Sequence, residues 1–394
     1  MPPFGCRSNP VSESYFIVPR PESIPVSPRR RRLPLLPLVG LMLFHWVFPS
    51  PSAAIDNLIR LSSIGSPLSA PTAVALDGSG GLYVTESGKN RLLVYNPSGV
   101  FLSELKGLDK PLGVAVDGVG RIYVCNSGRK NVEVYGSGLN LLLKLGAGDG
   151  EFILPVGVAI GNSGNIYVAD AKACVVKVYR SDGVFLFSFG GSGNDDGKLN
   201  FPTSISIDPA TEEVIVSDCQ LTMTGIKGAR IQVFDKNGSF RRKFGSFGQG
   251  EGLLMKPVGT AVDTNGKVYV SDAYQHIVEV YDVNGVYQKT VYDTARPMRT
   301  PMGIAIDRSA GKLYVASLNT STVEVYGSGA TGVGSGTLTF SRAGGSGCSA
   351  ARPSSGPSGS PSGFLFPLAA LSIYLRFRGK FSSCARKRGG SKAA

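Results

Sequence analysis

A phrase of about 25 residues recurs six times through the middle of this 394-residue chain. The first copy reads PTAVALDGSGGLYVTESGKNRLLVY and the second reads PLGVAVDGVGRIYVCNSGRKNVEVY. Each copy opens at a proline, and these prolines are Pro71, Pro111, Pro155, Pro202, Pro257 and Pro301. Their spacing of 40 to 55 residues is typical of proteins built from stacked or ring-forming repeats. We therefore expect one repeat-built domain instead of several unrelated ones.

Each copy contains short apolar runs with turn-forming pairs such as Asp-Gly and Asn-Gly between them. In the first copy the runs are Ala73 to Leu76, Leu82 to Thr85, Leu92 to Tyr95 and Val100 to Leu105. Short runs of branched and aromatic residues between such turns predict antiparallel strands joined by hairpins. Four strands in each unit form one blade of a β-propeller. The sequence thus predicts an all-β, six-bladed β-propeller of four-stranded antiparallel blades.

The ends of such a ring need a strand that joins them, because an unpaired edge strand promotes aggregation. The segment Asn57 to Ile64 precedes the first proline and resembles the fourth strand of a blade. We predict that this N-terminal strand pairs into blade six and closes the ring. The competing closure uses Thr337 to Phe340 instead.

The repeated phrases resemble the NHL repeat family. The shared features are a P-x-G-[VI]-A-[VI]-D opening, an I-Y-V-[AS]-D phrase and an F-G-x-x-G-x-x-x-G ending. Copy three contains this ending at Phe189, Gly190, Gly193 and Gly197. The resemblance covers residues 55 to about 330. It implies the propeller fold, but the family includes binding platforms, receptor ectodomains and a few lyases. Function must therefore be argued from the site.

The net charge of +13 comes from the two ends of the chain. Residues 55–330 hold 26 Lys and Arg against 26 Asp and Glu, whereas residues 1–54 contribute +4 and residues 331–394 contribute +9. The propeller therefore has no net field that would attract phosphate, which argues against nucleic acid as a partner. RNA binding, as in some NHL proteins, is the least favoured of three functional hypotheses.

The loop between the second and third strands is longer in copy four than elsewhere. Asp218 to Phe234 spans 16 residues, whereas the matching distance is nine in the other five copies. In a propeller this loop shares a face with the links between blades, and variable loops on a rigid scaffold often bind ligands. The predicted ligand-binding residues are Leu221, Thr222, Met223, Thr224 and Lys227. The alternative is a tolerated surface insertion.

Few residues of the sequence are candidates for catalysis or metal binding. His276 is the one histidine after the leader, and its column in the repeat tolerates any residue, so we interpret it as a turn residue. A zinc site or a Ser-His-Asp triad needs more partners. The acids recur with the repeat, which favours a backbone-bonding turn role. Under an alternative hypothesis, four channel-mouth acids hold Ca²⁺ through oxygen ligands. They are Glu86, Asp170, Asp218 and Asp272. No other cofactor is expected.

Residues 1–54 are typical of an export leader. Arg29 to Arg32 precede the apolar stretch Leu33 to Phe48, and small residues follow up to a predicted cleavage after Ala54. The 32 residues before the apolar stretch suggest either a start downstream of Met1 or an atypical leader. The alternative is an uncleaved membrane anchor.

The C-terminal region divides into a linker rich in Gly, Ser and Pro (residues 331–363) and a short apolar segment with a basic tail (residues 364–394). The order of small residues, apolar segment Phe364 to Leu375 and basic cluster resembles bacterial sorting signals of the Gly-Gly or Gly-Cys type. That resemblance implies processing near Gly344 to Cys348. The alternative is a membrane tail that is not processed.

Together these features predict an exported binding or scaffold propeller that is not an enzyme. It would recognise a protein, peptide or glycan on its loop face, either secreted or associated with the membrane at the cell envelope through its C-terminal segment. The alternative is a lactonase-like hydrolase or lyase with a metal at the channel mouth.

Overall fold

The computed structural model describes residues 58–146, 151–222 and 225–328. These residues form six four-stranded antiparallel sheets and one two-stranded sheet, with a single short 3-10 turn at Ser87–Lys89. The first strands of consecutive sheets contact one another, and the first strand of the sixth sheet contacts that of the first. The described chain is therefore a closed six-bladed β-propeller, which confirms the predicted fold.

The strands follow the repeat in chain order. Blade one consists of β2 (Ala73–Leu76), β3 (Leu82–Glu86), β4 (Arg91–Tyr95) and β5 (Phe101–Lys106). Blade two consists of β6 (Pro111–Val116), β7 (Ile122–Asn126), β8 (Asn131–Tyr135) and β9 (Leu141–Leu145). Blade three consists of β10 (Pro155–Ile160), β11 (Ile166–Asp170), β12 (Val175–Tyr179) and β13 (Phe185–Gly190).

The remaining blades keep the same order. Blade four consists of β14 (Pro202–Ile207), β15 (Val214–Thr222), β16 (Gly225–Phe234) and β17 (Phe240–Phe244). The two-stranded sheet follows it as β18 (Ser246–Phe247) and β19 (Leu253–Leu254). Blade five consists of β20 (Pro257–Val262), β21 (Val268–Asp272), β22 (Ile277–Tyr281) and β23 (Tyr287–Val291). Blade six consists of β24 (Pro301–Asp307), β25 (Lys312–Ser317), β26 (Thr322–Ser328) and β1 (Leu58–Ile64).

The N-terminal strand β1 closes the ring. It pairs antiparallel with β26, placing Leu58 opposite Ser328 and Ile64 opposite Val323. This pairing gives blade six its fourth strand and confirms the predicted closure by the N-terminal segment. The competing segment, Thr337 to Phe340, lies outside the described residues, as do residues 1–54 and the C-terminal region from 331 onward.

The core lies between neighbouring blades. Second strands such as β7 and β21 are buried at all five positions, because a blade packs against each of their faces. One core cluster, for example, joins Tyr123 and Val132 of blade two to Val158 and Tyr179 of blade three. The outermost strand β5 is mostly exposed. Burial on both faces explains why the second strands have continuous apolar runs instead of alternating ones.

The turn between the first and second strands of each blade is built around a repeated aspartate. In blade two, Asp117 Oδ1 accepts the backbone N–H of Val119 and of Arg121, at 3.1 and 2.8 Å. Its Oδ2 accepts the hydroxyl of Tyr123 at 3.0 Å. Asp77 and Asp263 make the same kinds of contacts in blades one and five. The predicted turn role of this acidic column is confirmed.

Candidate functional site

The links between blades and the turns between second and third strands lie on one face, which we call the link face. Antiparallel order requires this, since the second strand ends where the first strand begins. The opposite face carries the turns after the first and third strands. The cavity at the centre of the ring is lined by residues from the first strands and from the links, so it lies toward the link face.

The four predicted metal ligands are all buried at the ends of second strands, and each one holds the link that precedes its own blade. Asp170 accepts the backbone N–H of Ile153 and of Leu154 at 2.8 and 2.9 Å. Asp218 does the same with residues 200 and 201, and Asp272 with residues 255 and 256. Glu86 accepts the N–H of Ser69. These acids are thus distributed over four blades.

Three of these acids also pair with cations. Arg91 Nε lies 2.6 Å from Glu86 Oε2, Arg230 Nη2 lies 3.1 Å from Asp218 Oδ2, and Lys177 Nζ lies 3.8 Å from Asp170 Oδ2. Burial raises the pKa of Asp218 even though Arg230 and two backbone N–H groups favour its charged form. Within the described residues, no three His, Cys, Asp or Glu side chains lie together as a metal site would require. The calcium hypothesis stays a prediction.

His276 occupies a left-handed backbone conformation in the turn after β21, with φ of 63°. Asn90, Lys130, Cys174 and Ser321 occupy the same conformation in the corresponding turns, with φ of 54° to 60°. The interpretation of His276 as a turn residue is therefore confirmed. Its Nδ1 accepts the backbone N–H of Thr300 at 3.0 Å, immediately before the next blade. Burial lowers the pKa of the imidazole, which favours this neutral, accepting form.

The same contact between a turn and the following link recurs around the ring. Asn90 Oδ1 accepts the N–H of Lys110 at 2.9 Å, and Ser321 Oγ accepts the N–H of Ala70 at 3.3 Å. Cys174 donates its thiol to the carbonyl of residue 200 at 2.9 Å. The column varies in the sequence because an amide, a thiol, an imidazole or a hydroxyl can each bond the backbone there. Asn90, Cys174, His276 and Ser321 thus each fasten their own blade to the next link.

The insertion in blade four lengthens the hairpin of β15 and β16, whose pairing reaches from Val214 opposite Phe234 to Thr222 opposite Gly225. Of the predicted ligand-binding residues, Leu221 and Thr222 lie on β15, Lys227 is exposed on β16, and Met223 and Thr224 lie outside the described residues. Another residue of the insertion, Ile226, lines the central cavity. The hairpin therefore borders the cavity through a side chain that the sequence did not single out.

The central cavity has a volume of about 470 Å³. The first strand of each blade contributes two or three lining residues to it, and the first of these in each blade are Ala73, Leu112, Val156, Thr203, Val258 and Met302. Neighbouring first strands approach closely, since a Cβ on Gly113 would lie 2.7 Å from the carbonyl oxygen of Val156. A Cβ on Gly259 would likewise lie 2.6 Å from that of Met302. This close approach is the physical reason for the glycine in the P-x-G opening.

Four lysines line the cavity on the link face: Lys110, Lys130, Lys172 and Lys256. We call them the lysine rim. Among the described residues that line the cavity, none is Asp or Glu. The repeat pattern did not indicate the rim, because its members come from both links and turns and from only three of the six blades. A signal was present, since Lys110 and Lys256 each directly precede a blade-opening proline. The neutral total of the propeller therefore does not describe the cavity, where every charged side chain among the described lining residues is a lysine.

Comparison with known proteins supports the fold without fixing the family. No protein-family model matches the chain. The chain is 30% identical over 104 residues to the protein brain tumor of Drosophila melanogaster, a match that covers 26% of this chain and 9% of the length of that protein. This similarity is too partial to show the family.

Solved structures of other propeller proteins superpose on most of the chain. A gluconolactonase of Xanthomonas campestris has a TM-score of 0.52 at 18% identity and covers 68% of this chain and 89% of its own. Streptogramin B lyase has a TM-score of 0.50 at 16% identity over 71% and 90%. Hydrazine synthase of Kuenenia stuttgartiensis has a TM-score of 0.50 at 13% identity over 68% and 99%. At these identities the likeness shows the fold alone.

In the part of the chain that the structure describes, no helix has the length and apolar character needed to cross a membrane.

Proposed function

We propose that the protein is an NHL-type binding propeller that recognises its ligand at the central cavity and the surrounding link face. The observation that carries this proposal is the chemistry of the cavity, which combines apolar walls with four lysines. Concave apolar sites with a few convergent polar groups are the usual form of ligand sites. The ligand is a protein, peptide or glycan that presents a compatible group to this mouth.

The titratable groups nearest the mouth support binding over catalysis. His276 uses Nδ1 to hold the next link, and Asp170 and Asp272 use their carboxylates to hold the links of their own blades. A general base needs an accepting atom within reach of a bound substrate. The groups that would supply one are engaged in keeping the blades in place.

A panel of immobilised peptides and glycans tests this proposal. We expect saturable binding to at least one class, and we expect that binding to weaken when the mouth of the cavity is narrowed by Met302→Trp. The matched control is Leu186→Trp, which adds the same ring at an exposed position of the outer strand β13. Equal binding by both variants would contradict a ligand site at the cavity.

The second candidate is a hydrolase or lyase with a metal at the channel mouth. It is retained because a gluconolactonase and streptogramin B lyase share the fold. Calcium titration with a thermal-shift measurement tests the metal. If the midpoint rises with Ca²⁺ and the protein then opens lactones, in a reaction that Asp272→Asn abolishes, the binding proposal is replaced by this one.

We also propose that the propeller is exported and sorted to the cell envelope, with the leader removed after Ala54 and the C-terminal segment used for attachment or processing near Cys348. Intact mass measurement of the mature termini, in cells fractionated into membrane and medium, tests this. A full-length chain in the cytosol would overturn export, and it would leave the proposal on ligand binding in place.

A further inference from the structure

We propose that the group which the ligand presents to the central cavity is a small amphipathic anion, with its apolar body between the first strands and its carboxylate or sulfonate at the lysine rim. This inference rests on the proposed binding function and adds the chemical class of the group that the cavity accepts.

The wall offers mainly apolar surface to a ligand. Leu112, Val156, Val258 and Met302 line it with aliphatic side chains. The hydroxyl groups of the lining are engaged within the protein. Thr203 Oγ1 donates to the carbonyl of Pro257 at 2.8 Å, and other hydroxyl groups bond one another or neighbouring backbone, as with Ser127, Ser204 and Thr260. A ligand inside the ring therefore gains mostly from burial of apolar surface.

The rim supplies the charge. Its four ammonium groups come from two links and two turns around the mouth, and the described lining residues include no acid. The backbone beneath them is fixed, since the N–H of Lys110 bonds Asn90 Oδ1 at 2.9 Å and Lys130 lies in the recurring left-handed turn. Positive charge around a concave, low-dielectric mouth attracts anions and concentrates them there. An anionic headgroup at the rim therefore complements the apolar walls.

Two other occupants fit less well. The C-terminal region of this chain holds nine Lys and Arg and no acid after residue 330, so the rim would repel it. Single-stranded nucleic acid is bound by stacking its bases on aromatic side chains. Phe201 is the one aromatic side chain among the described residues that line the cavity. A volume of about 470 Å³ also suits a group of small-molecule size.

Calorimetric titration of the full-length chain with dodecanoate, and with dodecyltrimethylammonium as its cationic counterpart, tests the inference. Both probes have the same apolar chain, so a difference in affinity reports the rim. We expect dodecanoate to bind with a stoichiometry of one and at least about tenfold more tightly than the cation, a gap of about 1.4 kcal/mol. Affinity for dodecanoate should fall as salt is added.

The double variant K130Q/K256Q removes two rim charges, and the control K106Q/K236Q removes two charges from exposed lysines away from the cavity. We expect at least about a tenfold loss of dodecanoate affinity in the first and less than about a twofold change in the second. Both variants keep the apolar segments 33–48 and 364–375, so their difference reports the cavity. If K130Q/K256Q unfolds, K110Q/K172Q replaces it.

Equal affinities for the two probes, or equal losses in the two double variants, would overturn the inference. If a single-stranded RNA binds more tightly than dodecanoate, and K130Q/K256Q abolishes that binding, the rim is assigned to nucleic acid instead. If dodecanoate fails to bind while the peptide or glycan panel binds in a Met302-dependent manner, the anion inference fails and the proposed binding function stands. If neither binds, both fail.

Discussion

Blades two and five contain nearly the same third strand, NVEVY in β8 and IVEVY in β22, with a buried glutamate at its centre. In blade two, Glu133 accepts the hydroxyl of Tyr135 at 2.5 Å, and its Oε1 lies 3.4 Å from both Arg129 and Lys144. In blade five, Glu279 accepts the hydroxyl of Thr290 at 2.9 Å. Among the described residues its Oε1 has no hydrogen-bond partner.

The difference comes from the fourth strand. Lys144 stands opposite Glu133 in the sheet, whereas Thr290 stands opposite Glu279. Burial raises the pKa of both glutamates, but in Glu133 the hydrogen bond from Tyr135, the nearby amide of Asn126 and the charge of Lys144 lower it below its usual value. Burial, with Asp272 and Glu251 nearby, raises the pKa of Glu279 to about 8. The same sequence phrase thus contains one glutamate whose pKa is lowered and one whose pKa is raised. The residue opposite each glutamate on the neighbouring strand sets this difference.

The largest effect is expected from Glu279→Gln in alkaline solution. The pKa of Glu279 rises from 4.5 in the unfolded chain to about 8 in the folded protein. The folded protein therefore holds the proton more tightly, and the wild type loses stability as pH rises from about 4.5 through about 8. Glutamine mimics the protonated form, so at pH 9 the variant should be more stable by roughly 3–5 kcal/mol.

Urea unfolding at pH 5, 7 and 9 checks this, with the gain expected to grow between pH 5 and pH 9. A gain of the same size at every pH would mean that Glu279 is not the titrating group.

The same substitution in blade two should have the opposite sign. Glu133→Gln removes the charge from a carboxylate that accepts a tyrosine hydroxyl and pairs with two cations, at a cost of about 2 kcal/mol near pH 7. Because the pKa of Glu133 is lowered on folding, this contribution is present above the unfolded pKa and is lost as pH falls through the folded value. Unfolding at pH 7 and pH 3 measures it. If Glu133→Gln and Glu279→Gln behave alike, the neighbouring strand does not set the difference.

Thr290→Lys tests the cause directly, because it gives blade five the cross-strand lysine of blade two. We expect it to lower the pKa of Glu279 and to add about 1–2 kcal/mol of stability at pH 8, with little change at pH 5. The matched control is Lys289→Thr, at the adjacent position, which should leave the pH dependence unchanged. A steeper loss of stability with pH in Thr290→Lys would contradict the assignment.

The smallest effect concerns the tyrosines two residues after each glutamate. The hydroxyl of Tyr135 donates to Glu133, whereas that of Tyr281 is buried without a hydrogen-bond partner among the described residues. Tyr135→Phe should cost about 1 kcal/mol, and Tyr281→Phe should be neutral or slightly stabilising. Thermal unfolding of the two variants at pH 7 is sufficient to rank them. Equal losses would show that Tyr281 has a partner.

Much of the fold could be predicted from the sequence because its signals are local and repeated. The turn signals and apolar runs gave six blades, and Asn57 to Ile64 could be recognised as a missing fourth strand that became β1. The aspartates of the first turns act within a few residues of their own position, as Asp117 does with Arg121. Local hydrogen bonding of this kind is encoded by the order of residues.

The site was only partly predictable. The variable loop of blade four was located, but the cavity is reached by Ile226, and its charge comes from lysines in separate blades. His276 was identified as a turn residue, whereas its partner Thr300 lies 24 residues later. Each of these contacts depends on how neighbouring blades pack together. A position-by-position comparison of the repeats shows what the blades share and does not show contacts between blades.

The sequence by itself determined that this chain forms six antiparallel blades, that its first strand completes the last blade, and that the propeller carries no net charge. Only the tertiary structure decided how the charged side chains are distributed over the propeller and which of its acids are ionised. The lysine rim assembles because the ring brings links distant in sequence around one mouth, and Glu279 differs from Glu133 because a threonine, not a lysine, stands opposite it. Electrostatic interaction depends on distance and burial, and both arise only when the blades pack together.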